Sequence, residues 1–236
     1  MAKRKAAVDD ALAWLKKRGT KKNVDGMARY GIIAEHVFGV SVGDIGAYAK
    51  RLGRDHELAL ALWNTEWYEA RMLAAVVDDP AQVTSAQMDR WARDFDNWAI
   101  CDHCCFHLFD RTPHAWRKVE VWSERKGEFV KRAAFATLAG LGLHDKKATD
   151  DQFIRMFPVI EDAADDDRNF VKKGVSWALR VVGRRNPVLH SHAVETAARL
   201  LESESGSAKW IGRDAHRELT SEKVSAIVKK RGGKKR

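Results

Sequence analysis

Apolar residues recur along almost the whole chain at intervals of three and four, the spacing that places them on one face of an α-helix. No stretch alternates β-branched and polar residues as a half-buried strand would. The periodicity predicts helices near 6–17, 23–37, 43–52, 55–64, 66–78, 84–94, 97–110, 112–122, 125–141, 149–164, 168–185, 188–203, 206–217 and 221–230. Clear stops separate them, among them "VDDP" at 77–80, "GLGLHDKK" at 140–147 and "GRRNP" at 183–187. The expected class is all-α.

Three of these helices resemble one another. "EARMLAAVVDD" (69–79), "VKRAAFATLAGLGLHD" (130–145) and "VKKGVSWALRVVG" (171–183) each set a basic residue before a small, apolar stretch. Arg71, Arg132 and Lys173 are thereby spaced 61 and 41 residues apart, and the first gap has room for two units. Helix pairs at such periods are the signature of an α-solenoid of HEAT type. An irregular helical bundle is the alternative. The solenoid reading divides the chain into a basic N-terminal segment and first helix (1–22), a helical repeat domain (23–220) and a basic tail (221–236).

Composition narrows the picture. With 236 residues and 45% hydrophobic content, the chain has ample material for a buried core. It has no apolar run near the roughly 18 residues of a membrane span. "MAKRKAAVDD" carries the charge of a signal peptide without its apolar segment, so a cytoplasmic protein is expected. Cys101, Cys104 and Cys105, crowded into five residues, form no disulfide framework and read as reduced thiols. The net charge of +9 sits at the ends: residues 1–22 carry +6 and "KKRGGKKR" (229–236) another +6, leaving about −3 elsewhere. Such ends either attract nucleic acid non-specifically or simply keep the protein soluble.

Two stretches carry candidate chemistry. In "DFDNWAICD" (94–102), Trp98 and Asp102 are four residues apart and stack on one helical face. Asp102 falls inside the apolar arc with Phe106 and Phe109, a costly place for a carboxylate unless it is paired or opens onto a cavity. Asp94, Asp96 and Asn97 are good N-cap residues for this helix. In the helix at 168–185, Lys173, Trp177, Arg180 and Arg184 cluster within about 60° of arc, opposite Val171, Val175, Ala178 and Val182. That pattern fits an aromatic platform in a basic groove, or a tryptophan packed on a neighbouring helix. Arg132 opens a helix otherwise apolar nearly all round, whose alanines would let a phosphate or carboxylate approach. "CDHCCFH" (101–107) has C-x-x-C spacing, but no second ligand pair occurs elsewhere and the thiols and imidazoles face different ways, so no metal site is expected. "DAADDD" (162–167) lacks the glycine and closing glutamate of a calcium loop. No phosphate-binding loop, dinucleotide fingerprint or nucleophile elbow is present.

"MARY" (27–30), "DNWAICD" (96–102), "EFVKRAAF" (128–135) and "FVKKGVSWALRVVGRRNP" (170–187) together resemble the DNA alkylation repair family typified by AlkD, over roughly residues 25–218. The resemblance implies a HEAT-like α-solenoid whose concave face cradles duplex DNA. It implies a glycosylase that excises cationic N3- and N7-alkylated purines without metal or cofactor, as a monomer acting on double-stranded DNA that contains alkylated bases. Some branches of the family bind DNA structures without excision. By motif, Asp102 resembles the catalytic carboxylate, Trp98 and Trp177 the aromatic contacts to the damaged nucleotide, and Arg132 a backbone contact. Lys173, Arg180 and Arg184 are expected to support DNA binding, and Tyr30 matches a DNA-contacting tyrosine. Asn97 departs from the pattern, standing where a second tryptophan can precede the key one.

Overall fold

The computed structural model describes residues 2–232, with side chains from Arg4 onward; the last four residues of the basic tail lie outside the described residues. Every regular element among them is helical, and none is long and apolar enough to cross a membrane. The packing forms two compact units, one ending at His114 and the other beginning at Ala115.

The first unit contains α1 (Ala2–Arg18), α2 (Lys21–Ala28), α3 (Val42–Leu52), α4 (His56–Trp63), α5 (Tyr68–Val77), α6 (Ser85–Arg93), α7 (Trp98–His107) and a 3-10 turn at Phe109–Arg111. Its centre is α5, which packs on α3, α4 and α7 and is buried on nearly every side. Between α4 and α6, the indoles of Trp63 and Trp91 stack at 3.9 Å, and the Trp63 indole N–H donates to Asp94 at 2.8 Å. Pairs of this kind add roughly 0.5–1.5 kcal/mol to their area burial.

The second unit contains α8 (Ala115–Ser123), α9 (Glu128–His144), α10 (Asp150–Ile154), α11 (Met156–Asp162), α12 (Asn169–Gly183), α13 (Pro187–Glu202), α14 (Gly206–Leu219) and α15 (Glu222–Gly232). Here α9, α12 and α14 lie side by side as one layer, while α8, α11 and α13 pack on them from the other side. This is the two-layer stacking of HEAT-like helix pairs. Close approach requires Gly212 in α14: a Cβ there would stand 2.8 Å from the carbonyl oxygen of Ala197 in α13.

Helix starts are fixed by side chains that accept from exposed backbone N–H groups: Ser41, Asp55, Thr84, Asn97, Asn186 and Ser205 all cap in this way. Each such cap contributes about 1 kcal/mol. Two expected helices differ most from the observed ones. The segment expected as one helix at 149–164 is two, broken at Arg155. Pro158 has no N–H to give the Ile154 carbonyl and its ring crowds that carbonyl, so it is accommodated only in the first turn of a new helix.

The helix expected at 23–37 ends at Ala28. Gly31 adopts φ 69, its N–H donates to Ala28 and that of Ile32 to Met27, the paired closure of a Schellman motif. Beyond it the backbone N–H groups of Phe38, Gly39 and Val40 donate to the buried carboxylate of Glu69 at 2.9, 2.6 and 3.1 Å. A side chain on α5 thus supplies the acceptors that a continued helix would have supplied itself.

Candidate functional site

Asn97 caps α7 by accepting from the N–H groups of Ala99 and Ile100 at 3.0 and 3.1 Å, which makes Trp98 the first helical residue. Asp102 follows one turn later on the same face, and both side chains are half-buried. The Trp98 indole N–H donates to the carbonyl oxygen of Tyr30 at 2.9 Å, across 68 residues of sequence. The ring is therefore held by its polar edge, leaving its faces to other contacts. Tyr30 itself is 73% exposed. Three residues selected from sequence thus lie in one unit, two of them joined directly.

The remainder of α7 is packing. His103 is buried, and its Nε2 lies 3.1 Å from the Met72 carbonyl of α5. Burial, reinforced by the His107 ring at 4.3 Å, pushes its pKa down to about 3, so the ring is neutral and Nε2 donates. Cys101, Cys104 and Cys105 are all buried, and burial raises the Cys104 thiol well above its ordinary pKa. Within "CDHCCFH" the three thiols are buried and His103 is tied to α5; among the described residues no group of three His, Cys, Asp or Glu side chains is arranged to hold a metal ion.

In the second unit, Arg132 is only 6% exposed and its Nη1 donates to the Phe170 carbonyl at 2.7 Å, in the first turn of α12. Gly174 of α12 packs beside it, where even a Cβ would stand 3.5 Å from Arg132 Cγ, an ordinary contact distance. The alanines that follow Arg132 are buried and admit neighbouring helices, where the sequence suggested room for a ligand. The "DAADDD" run resolves similarly. Asp166 pairs with Arg168 at 2.8 and 2.5 Å and with Lys131 at 3.2 Å, contacts that lower its pKa to about 2.

The cluster on α12 divides. Lys173 is exposed and Trp177 half-buried, but Arg180 and Arg184 do not stand as free cations. Along the α12–α14 interface, Lys172 lies over the Trp210 ring at 5.3 Å and the Ser176 hydroxyl donates to Asp214 at 2.7 Å. Arg180 reaches Asp214 at 3.4 Å and Glu218 at 2.5 Å. Arg184 Nη2 lies 3.1 Å from the other Glu218 oxygen, an ionic contact without hydrogen-bond alignment. Residues 172, 176, 180 and 184 recur every fourth position and meet 210, 214 and 218 at the same interval. Reading one helix at a time identified the cations and missed the acids, which lie 38 residues further on.

A family model described as DNA alkylation repair enzyme matches residues 11–219. The chain belongs to that family. A solved structure described as "a new family of proteins related to the HEAT-like repeat DNA glycosylases with affinity for branched DNA structures" matches with a TM-score of 0.73 and 20% sequence identity. The match covers 89% of this chain and 94% of that one. At that identity the likeness speaks for the fold, which is HEAT-like, as the two-layer packing of the second unit indicates. No curated protein sequence is matched. In the first unit, Trp98 and Asp102 set a half-buried indole and a half-buried carboxylate on successive turns of α7.

Proposed function

We propose that the protein is a DNA glycosylase that releases cationic N3- and N7-alkylated purines from duplex DNA, with Asp102 as its catalytic carboxylate. The observation that carries this reading is the pairing of Trp98 and Asp102 on successive turns of α7, the indole held from behind by the Tyr30 carbonyl. An alkylated purine already bears positive charge, so its bond to C1′ breaks with the electron pair leaving on the base and no prior protonation. Charge then moves onto the sugar. A fixed carboxylate stabilises that developing oxocarbenium and holds the water that adds to C1′, the released proton passing to solvent. The face of Trp98 attracts the cationic base, and Trp177 on α12 of the second unit serves as an aromatic contact to DNA. Lys173 offers an open cation for the phosphate backbone, and the paired Arg180 and Arg184 offer cations whose acidic partners a phosphate would have to replace. The test is base release from methylated DNA, read by product chromatography.

A second reading is favoured by one observation, the structural neighbour's description as a family with affinity for branched DNA. On that reading the chain binds branched or damaged DNA without cutting the glycosidic bond. Tight binding of a four-way junction with no released base would select it.

A further inference from the structure

The two most exposed large apolar side chains among the described residues are Ile33, at 76%, and Tyr30, at 73%. They lie three residues apart, on the loop whose Tyr30 carbonyl accepts from the Trp98 indole. Isolated exposed apolar residues are ordinary; two so strongly exposed within four residues of one loop mark a contact surface. The segment is also held in shape. The Schellman closure at Gly31 fixes its start, and Glu69 fixes Phe38, Gly39 and Val40 at its end. Exposed apolar groups on a tethered backbone lose little conformational entropy when they meet a partner.

We infer that Tyr30 and Ile33 form an apolar wedge, with Ile33 as its tip, that enters the DNA base stack beside the nucleotide held by Trp98. This rests on the reading of Trp98 as a DNA contact. Three residues of chain span at most about 10 Å, so Ile33 stays close to the Tyr30 carbonyl that holds the Trp98 indole. Side chains of this type part base steps and kink the duplex, and water offers an exposed isoleucine nothing that a parted stack does not improve on. Arg29, exposed at the foot of the loop, supplies a cation for the flanking phosphate. The partner is a duplex with a weakened stack, such as one holding a damaged, mismatched or branch-point base.

The test is fluorescence of 2-aminopurine placed next to a single mismatch in a duplex, read at protein concentrations that saturate it for every variant. The native chain should raise the emission severalfold as the base unstacks. Ile33→Ala should cut that rise by at least about threefold and Ile33→Met should restore it. A rise as large with Ile33→Ala as with the native chain overturns the wedge, and so does a saturated native complex with no rise. A wedge signal without base release leaves this inference standing and removes the glycosylase reading, so the two fail separately.

Discussion

Arg180 of α12 and Glu218 of α14 meet at 2.5 Å, with the second carboxylate oxygen of Glu218 turned toward Arg184. One acid therefore restrains both arginines, with Asp214 at 3.4 Å a second partner of Arg180. Glu218→Gln should tighten binding to undamaged duplex by about three- to tenfold and steepen its salt dependence, each newly engaged phosphate adding about 0.9 to the log–log slope. Fluorescence anisotropy across a salt series measures both. Unchanged affinity and slope would make Arg180 and Arg184 ties between helices and nothing more.

Arg132 is placed to do structural work at the α9–α12 contact. Arg132→Ala should cost about 1–3 kcal/mol of stability, because the Phe170 carbonyl loses a charged donor. If Arg132 also engages a phosphate, the salt slope falls by about one. Urea unfolding and the salt series together separate the two roles, and a loss of slope without a loss of stability would contradict the buried contact.

His103 makes acid sensitivity testable. The unfolded ring takes up a proton near its ordinary pKa of 6.5, whereas the folded ring resists until about 3. Between those values the unfolded chain binds more protons, so this residue's contribution is complete above about 6.5 and is lost as the pH falls toward 3. His103→Gln, which keeps an N–H for the Met72 carbonyl, should flatten the fall in urea midpoint over that window. An identical pH profile in the variant would show that His103 does not titrate in this way.

Glu69 holds three backbone N–H groups with one carboxylate. Glu69→Ala should destabilise the protein by about 3 kcal/mol, since the donors it satisfies are left unpaired beside the core. Hydrogen exchange should quicken most at Phe38, Gly39 and Val40. Protection unchanged at those amides would mean the loop is held by other means.

What the sequence made legible follows from the range of the forces involved. Helical periodicity is local, and the expected helices at 168–185 and 188–203 match α12 and α13 within one or two residues. The Trp98–Asp102 spacing is local too and survives intact. The helix expected at 23–37 was overwritten by Glu69, some thirty residues away, together with Gly31's left-handed turn. The supposed open cations Arg180 and Arg184 acquire their partners from another helix. Single-helix patterns fix which residues share a face, but the neighbour that face meets is decided by tertiary packing. Ile33 carries no local signal: an apolar residue inside the helix expected at 23–37 is indistinguishable from a core position, and only its exposure after the turn marks it out.

The most direct test compares base release by the native chain and by Asp102→Asn. The substrates are duplexes carrying 7-methylguanine, 3-methyladenine, uracil or hypoxanthine. The native chain should release the two cationic purines and leave the neutral bases, because a carboxylate beside the Trp98 indole assists only where positive charge is already present or forming. Asp102→Asn should keep duplex binding and lose at least about a hundredfold in excision, the mark of a charge that acts in the transition state. Full activity in Asp102→Asn, or efficient release of uracil by the native chain, would contradict the assignment.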